Sequence, residues 1–266
     1  MSQLNLFDLT GKVAIVTGGA GLLASEHAIA LHAHGARVVL ADFNEEKCIQ
    51  AANILREAGT IATAKFCDVT KKDSWEKLLD DVLNDYGKVD VLVNNAGFTN
   101  QSKSPNFDAT FENFPLEDWN AIMNVNLTGS FLGCQVIGKH MLENKSGSII
   151  NMASLYGVVS PNHRIYPGTG ISQPVAYSVS KHGVVALTKY LATLWADKGV
   201  RVNALTPGGI FNDHKGLFLE RFEQLNPIGR MCDKTELRGG IVYLASDASS
   251  HMIGHNLIID GGWTAW

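Results

Sequence analysis

Positive charge is scarce in this chain and nowhere concentrated. Its 22 Lys and Arg stand against 26 Asp and Glu, a formal net charge of −4, and no basic run occurs. The footprint that a nucleic acid or an anionic membrane surface requires is missing, which argues against both as partners. Long hydrophobic runs are missing too, and no apolar stretch reaches the roughly 18 residues of a membrane span. Residues 1–10 lack the basic-then-apolar layout of a signal peptide. Cysteine is sparse: Cys48, Cys67, Cys134 and Cys232 are scattered, with no C-x-x-C pair. That excludes a disulfide framework and a zinc ribbon, and it reads as the reduced thiols of a cytoplasmic protein. The nine histidines show no ligand spacing, so no metal is expected. His32 and His34 lie two apart in a helical stretch, do not share a face, and read as surface. Internal repeats and low-complexity linkers are absent.

What is present is an ordinary globular balance, 45% hydrophobic and 18% charged. The 266 residues suffice for one large α/β domain or two small ones, and no shift in composition marks a second. Apolar runs at 13–17, 37–42, 61–66, 89–93, 148–152, 200–205 and 257–259 read as strands. Helical patterns lie between them: through His34, at 45–58, 73–86 and 116–143, from Tyr177 onward, and at 235–245. A long polar loop precedes the helix at 116. Strand and helix alternate, and the strands are continuous apolar runs, the mark of a parallel sheet covered on both faces. The fold class expected is a single-domain, Rossmann-type doubly wound α/β sheet over 1–266. Ligands belong at the carboxyl ends of its strands.

The stretch with the most chemistry is Tyr177-Ser178-Val179-Ser180-Lys181, which opens an apolar-periodic run of Val184, Leu187, Leu191 and Leu194. Residues four apart share a helix face, so phenol and ammonium stand one turn apart. A fixed cation favours the phenolate, which predicts a lowered tyrosine pKa and a proton donor or acceptor for an alcohol or carbonyl. The alternative is two residues sharing a helix by chance. The first strand ends in Thr17, then Gly18-x-x-Gly21-x-x-Ala24 opens a helix. Glycines there let backbone N–H groups approach a pyrophosphate at a helix N-terminus, although a tight turn alone would also need them. Asp42 closes the second strand. A carboxylate there can accept the hydroxyls of an adenosine ribose and repel a 2′-phosphate. Phe43 and Asn44 follow, with no arginine, which favours NAD over NADP. Asp42 could instead cap the next helix, a task that Asn44 could also perform.

With these motifs in order, the chain resembles the single-domain branch of the short-chain dehydrogenase/reductase family over essentially its whole length. Asp68-Val69 is similar to the family's adenine-contacting pair, and Asn94-Asn95-Ala96-Gly97 to its NNAG motif. The resemblance gives Asn126 the part of holding a water in a proton relay, and Ser154 that of hydrogen-bonding the substrate oxygen. Tyr177 and Lys181 match YxxxK. Pro207-Gly208 matches the motif beside the nicotinamide, followed by Ile210, and Asp260-Gly261-Gly262 the usual ending. The cofactor site so implied comprises Thr17, Gly18, Gly21, Leu22, Leu23, Asp42, Phe43, Asp68, Val69, Asn95, Ala96, Gly97, Tyr177, Lys181, Pro207, Gly208 and Ile210. The activity implied is NAD-dependent hydride transfer between nicotinamide and a secondary alcohol or ketone, on a sugar, polyol or related polar substrate. Tyr177 is the acid/base, Lys181 lowers its pKa and holds the cofactor ribose, Ser154 positions the carbonyl and Asn126 completes the relay.

Three departures stand out. Leu22 and Ala24 replace the second and third glycines of TGxxxGxG, so the turn looks like the TGxxGxxG of extended members, mostly sugar-nucleotide enzymes. An epimerase or dehydratase is therefore one rival, disfavoured because six residues follow Asp260. A non-catalytic NAD sensor is another, disfavoured because all four catalytic positions are kept. Ile210-Phe211-Asn212-Asp213 stands where the family often has a threonine. Ser154 and Tyr177 are 23 residues apart, longer than the family's habit, and the insertion at 160–173 carries Asn162, His163, Arg164 and Tyr166. Substrate loops are expected near 155–176 and 208–230, the latter with His214 and Lys215. A weaker resemblance is to the oxidoreductases of flagellin modification and nonulosonic sugar synthesis, with polyol and gluconate dehydrogenases comparable. Apolar residues on more than one side of two helices (Phe131, Val136 and Ile137; Val185, Tyr190 and Trp195), with Trp263 and Trp266 at a second face, predict a homotetramer.

Overall fold

Among the described residues seven strands, β1 (Val13–Thr17), β2 (Arg37–Asp42), β3 (Ala62–Phe66), β4 (Val91–Asn94), β5 (Gly147–Met152), β6 (Val200–Pro207) and β7 (Asn256–Ile259), form one parallel sheet. Their order is β3-β2-β1-β4-β5-β6-β7. The computed structural model describes residues 5–98, 106 and 109–266. Parallel neighbours require crossovers, and helices supply them on both faces: α1 (Leu22–Ala33), α2 (Glu45–Glu57), α3 (Lys72–Tyr86), α4 (Leu116–Met123), α5 (Gly129–Glu143), α6 (Val175–Trp195), α7 (Leu217–Leu225) and α8 (Arg238–Ala245).

The period-2 geometry of a strand divides the core in two. Ala14 and Val16 of β1 pack with Leu31 of α1 and Ile241 of α8. Val13 and Ile15 pack on the other face, with Trp75 of α3 and Ile137 of α5. Strand order reverses at β1, which pairs with both β2 and β4. A crevice opens there beyond the carboxyl ends of the strands.

Several expectations shift. The helix expected at 116–143 is α4 and α5 joined by a π-helical turn over Asn124–Thr128. The helix expected at 235–245 starts as a 3₁₀ turn, Lys234–Leu237, closed by an Asp233–Glu236 capping box, and becomes α8. α7 lies in a segment read only as loop. The polar loop after β4 falls partly, and the N-terminal stretch partly, outside the described residues.

The apolar surplus on α5 and α6 is smaller than expected. Val136, Ile137 and Trp195 are buried in this chain's own core, because α5 and α6 pack closely where Gly138 meets the Trp195 ring. The residues left exposed are Phe131, Val179, Tyr190 and Leu194. Trp263 is likewise buried, stacked on Phe222 with ring centres 4.4 Å apart, while Trp266 is 79% exposed.

Candidate active site

The first turn is shaped by what a side chain would hit. Gly18 has φ +65°, and a Cβ there would lie 2.9 Å from the Ala96 backbone. β1 and β4 approach one another at this point, so only glycine fits. Gly21 is the N-cap of α1 and offers no side chain to its amides. Leu22 and Leu23 follow along the cleft wall. Open amides and the helix dipole make the turn suited to an anion. Ala24, in the place of the motif's third glycine, is fully buried and lets α1 lie close to the sheet.

Asp42 is buried at the end of β2, and its carboxylate accepts from the backbone N–H of Ala20 (3.1 Å) and of Asn44 (2.9 Å). Asn44, not Asp42, caps α2, accepting from the Lys47 amide at 3.0 Å. The carboxylate therefore has lone pairs left for a ligand. Phe43, Asp68, Val69, Asn95, Ala96 and Gly97 line the same cleft, as do Pro207, Gly208 and Ile210 beyond β6. The cleft holds about 970 Å³. Its glycine cradle, open helix N-terminus and oriented carboxylate fit a nicotinamide dinucleotide. Thr17 does not reach it. Its hydroxyl accepts from the Asn95 and Ala96 amides, both at 3.0 Å, and so fixes the loop that does.

At the other end of the cleft, α6 begins after Pro174, which brings Tyr177 and Lys181 to its first two turns. Gly157 lets this happen, since a Cβ there would lie 2.7 Å from the Lys181 carbonyl. Ser154 caps the short turn Leu155–Gly157, accepting from the Tyr156 amide at 3.2 Å. Ser154, Tyr177 and Lys181 share the cleft wall. The Lys181 ammonium lies 5.8 Å from the Tyr177 ring centre and donates to the Met152 carbonyl at 2.7 Å. The lowered tyrosine pKa expected from spacing is corrected here. Burial pushes the Tyr177 phenol up, opposed by the Ser154 hydroxyl. Burial also pushes Lys181 down, to about 8. The ammonium is turned to a carbonyl, and desolvation governs the phenol.

Asn126 sits in the π-helical turn, buried behind the wall and not part of it. Its Oδ1 accepts from the Phe98 amide at 2.6 Å, and its Nδ2 donates to Ser180 Oγ at 3.1 Å. It ties the loop after β4 to α6, close behind Lys181.

The insertion and the segment after β6 close the remaining side together. Arg221 of α7 donates to the Ile165 and Pro167 carbonyls at 3.2 and 2.6 Å. Tyr166 stacks on Phe218, with ring centres 5.9 Å apart, and Phe218 abuts both His214 and Phe222. Tyr166, Gln173, Asn212 and His214 line the cleft, whereas His163 and Arg164 are exposed. Sequence reasoning placed Tyr166 and His214 in loops without assigning them. It missed Tyr156 and the aromatic column Phe218–Phe222–Trp263, whose signal was the four-residue spacing of two phenylalanines.

The family model described as enoyl-(acyl carrier protein) reductase matches residues 19–264. The D-threitol dehydrogenase of Mycolicibacterium smegmatis is 36% identical over 263 residues, covering 97% of this chain and 95% of that protein. A solved short-chain type dehydrogenase/reductase from Mycobacterium marinum is 34% identical, with a TM-score of 0.87 over the whole of both chains. A gluconate 5-dehydrogenase from Burkholderia cenocepacia J2315, solved with NADP and tartrate, is 30% identical with a TM-score of 0.85, covering 98% of each chain. Motif order, strand order and full-length similarity agree: the chain belongs to the short-chain dehydrogenase/reductase family, and it is an alcohol dehydrogenase/carbonyl reductase that uses a nicotinamide cofactor.

Proposed function

We propose that this protein is an NAD-linked dehydrogenase of polyols or sugars, interconverting a secondary alcohol and a ketone. The observation that carries the reading is one cleft holding Tyr177, Ser154 and Lys181 at one end and the Gly18 turn with Asp42 at the other. The bound nicotinamide would accept or supply the hydride. Tyr177 takes the carbinol proton as the C–H bond breaks, or returns it to the ketone oxygen. Ser154 donates to that oxygen and fixes its position. Lys181 holds the cofactor ribose. Asn126 positions Lys181 and α6. Thr17, Gly18, Gly21, Leu22, Leu23, Asp42, Phe43, Asp68, Val69, Asn95, Ala96, Gly97, Pro207, Gly208 and Ile210 form or frame the cofactor site.

NAD is favoured over NADP because Asp42 is a buried charge at the ribose end. Lys47 also lines that end but is exposed, where its attraction is screened. The exposed apolar residues of α5 and α6 support a homotetramer, and the four unpaired thiols suit the cytoplasm. A screen of sugars, polyols and hydroxy acids with NAD and NADP, read by absorbance of the reduced cofactor, tests the reading. Turnover with NAD on polyols is expected. Preference for NADP, unchanged in Asp42→Ala, would contradict the cofactor assignment, and inactivity on every alcohol would contradict the whole.

A further inference from the structure

Two phenols beside Tyr177 have no part in the chemistry above. Tyr156 lies two residues beyond Ser154, and Tyr166 comes from the insertion. Their hydroxyls are 2.5 Å apart. Both line the cleft, and Tyr156 belongs to the buried apolar cluster against which Tyr166 and Tyr177 pack. Two phenols carry two protons, and one bond between them uses only one. Among the described residues neither hydroxyl makes a hydrogen bond beyond this one, so the pair keeps one proton and lone pairs uncommitted beside the cleft that both residues line. The hydroxyls are held in place: the Tyr156 amide by Ser154, Tyr166 by its stack on Phe218 and by the Arg221 clamp on its neighbours' carbonyls.

The pair is also uncharged. Burial pushes Tyr156 up to about 12 and Tyr166 higher still, so both remain phenols. His214, the nearby imidazole, is pushed down by burial, and its Nδ1 accepts from the Asn212 amide. Among the described residues lining the cleft, the only cations are Lys181 and, at the ribose end, Lys47. A substrate carboxylate here would lose water without gaining a dedicated counter-charge, which is costly. A neutral hydroxyl would gain a hydrogen bond.

Building on the dehydrogenase reading, we infer that Tyr156 and Tyr166 recognise a second, neutral hydroxyl of the substrate, so that the cleft selects polyols over sugar acids and over simple secondary alcohols. The test compares kcat/KM for threitol, gluconate and 2-butanol with NAD, in the unmodified protein and in Tyr156→Phe/Tyr166→Phe. The double variant keeps both rings and removes both donors. Threitol is expected to exceed each other probe by at least about tenfold. In the double variant the threitol-to-2-butanol ratio should fall by about tenfold, one hydrogen bond's worth. Gluconate equal to threitol, or a ratio that stays put, overturns the inference while leaving the dehydrogenase reading intact. Absence of turnover on all three probes and on the wider alcohol screen would overturn both. If melting shows the double variant unfolded, Tyr166→Phe alone is read in the same ratio, and an unmoved value overturns the assignment.

Discussion

Tyr177 and His27 show how burial acts on single residues with opposite visibility in the sequence. The Tyr177–Lys181 pair was legible because a four-residue spacing is a statement about geometry. Its electrostatics were not legible, because desolvation depends on what packs around the pair. If Tyr177 is the proton carrier, Tyr177→Phe lowers turnover by about a thousandfold, within the usual worth of a positioned acid or base. NADH affinity, followed by fluorescence titration, stays near that of the parent. Retention of a tenth of the parent rate would exclude the role. His27 gave no signal, standing beside Glu26 in an otherwise ordinary helix. It is fully buried, and among the described residues neither ring nitrogen has a hydrogen-bond partner. Burial pushes it down to about 4, opposed by the Glu26 charge and by the neighbouring Asn95 side chain. The folded state therefore holds the neutral ring while the unfolded chain titrates near 6.5. The stability it contributes is present above about pH 6.5 and lost as pH falls towards 4, about 2 kcal/mol of it by pH 5. Urea unfolding of the parent and of His27→Leu at pH 7 and pH 5 measures this. The parent should lose about that much more than the variant, and equal losses would show that another group governs the acid side.

At the scale of elements, what was readable followed period and what was missed followed contact. The apolar runs of β1, β2, β5 and β6 could be read because buried parallel strands need them. The π-helical turn at Asn124–Thr128 could not, because Val125 and Leu127 keep the apolar pattern through it while the extra residue turns Asn126 inward. α7 was missed for a related reason. Its apolar face, Phe218, Leu219, Phe222 and Leu225, spans only two turns and packs against Tyr166 and Trp263, which come from distant parts of the chain. Insertion and α7 form one wall because Arg221 joins them. Arg221→Met keeps the stem and removes the donors. It is expected to raise KM for a polyol several-fold, with NADH affinity little changed, and to speed protease cleavage within 160–173. A variant indistinguishable from the parent in both KM and cleavage would show that the two loops do not depend on each other.

For the molecule as a whole, strand order 3-2-1-4-5-6-7 puts the Gly18 turn, Asp42, Ser154 and Tyr177 at one end of one sheet. Residues far apart in sequence thus meet where the order reverses. The assembly was less legible, because amphipathicity alone does not say which of two apolar sides a neighbour inside the same chain will cover. Trp195 and Ile137 went inward, and Phe131, Val179, Tyr190 and Leu194 remain out. Light scattering at micromolar concentration should give four times the 28.8 kDa of one chain, and Tyr190→Glu with Leu194→Glu should lower the mass. A mass of one chain would contradict the assembly. The central claim, hydride transfer governed by Tyr177, is tested most directly with a polyol deuterated at its secondary carbinol carbons and NAD as acceptor. Mass spectrometry of the reduced cofactor should show one deuterium gained for each ketone formed, and none above background with Tyr177→Phe. Ketone formed with an unlabelled cofactor, or label transferred as fast by the Tyr177→Phe protein, would contradict it.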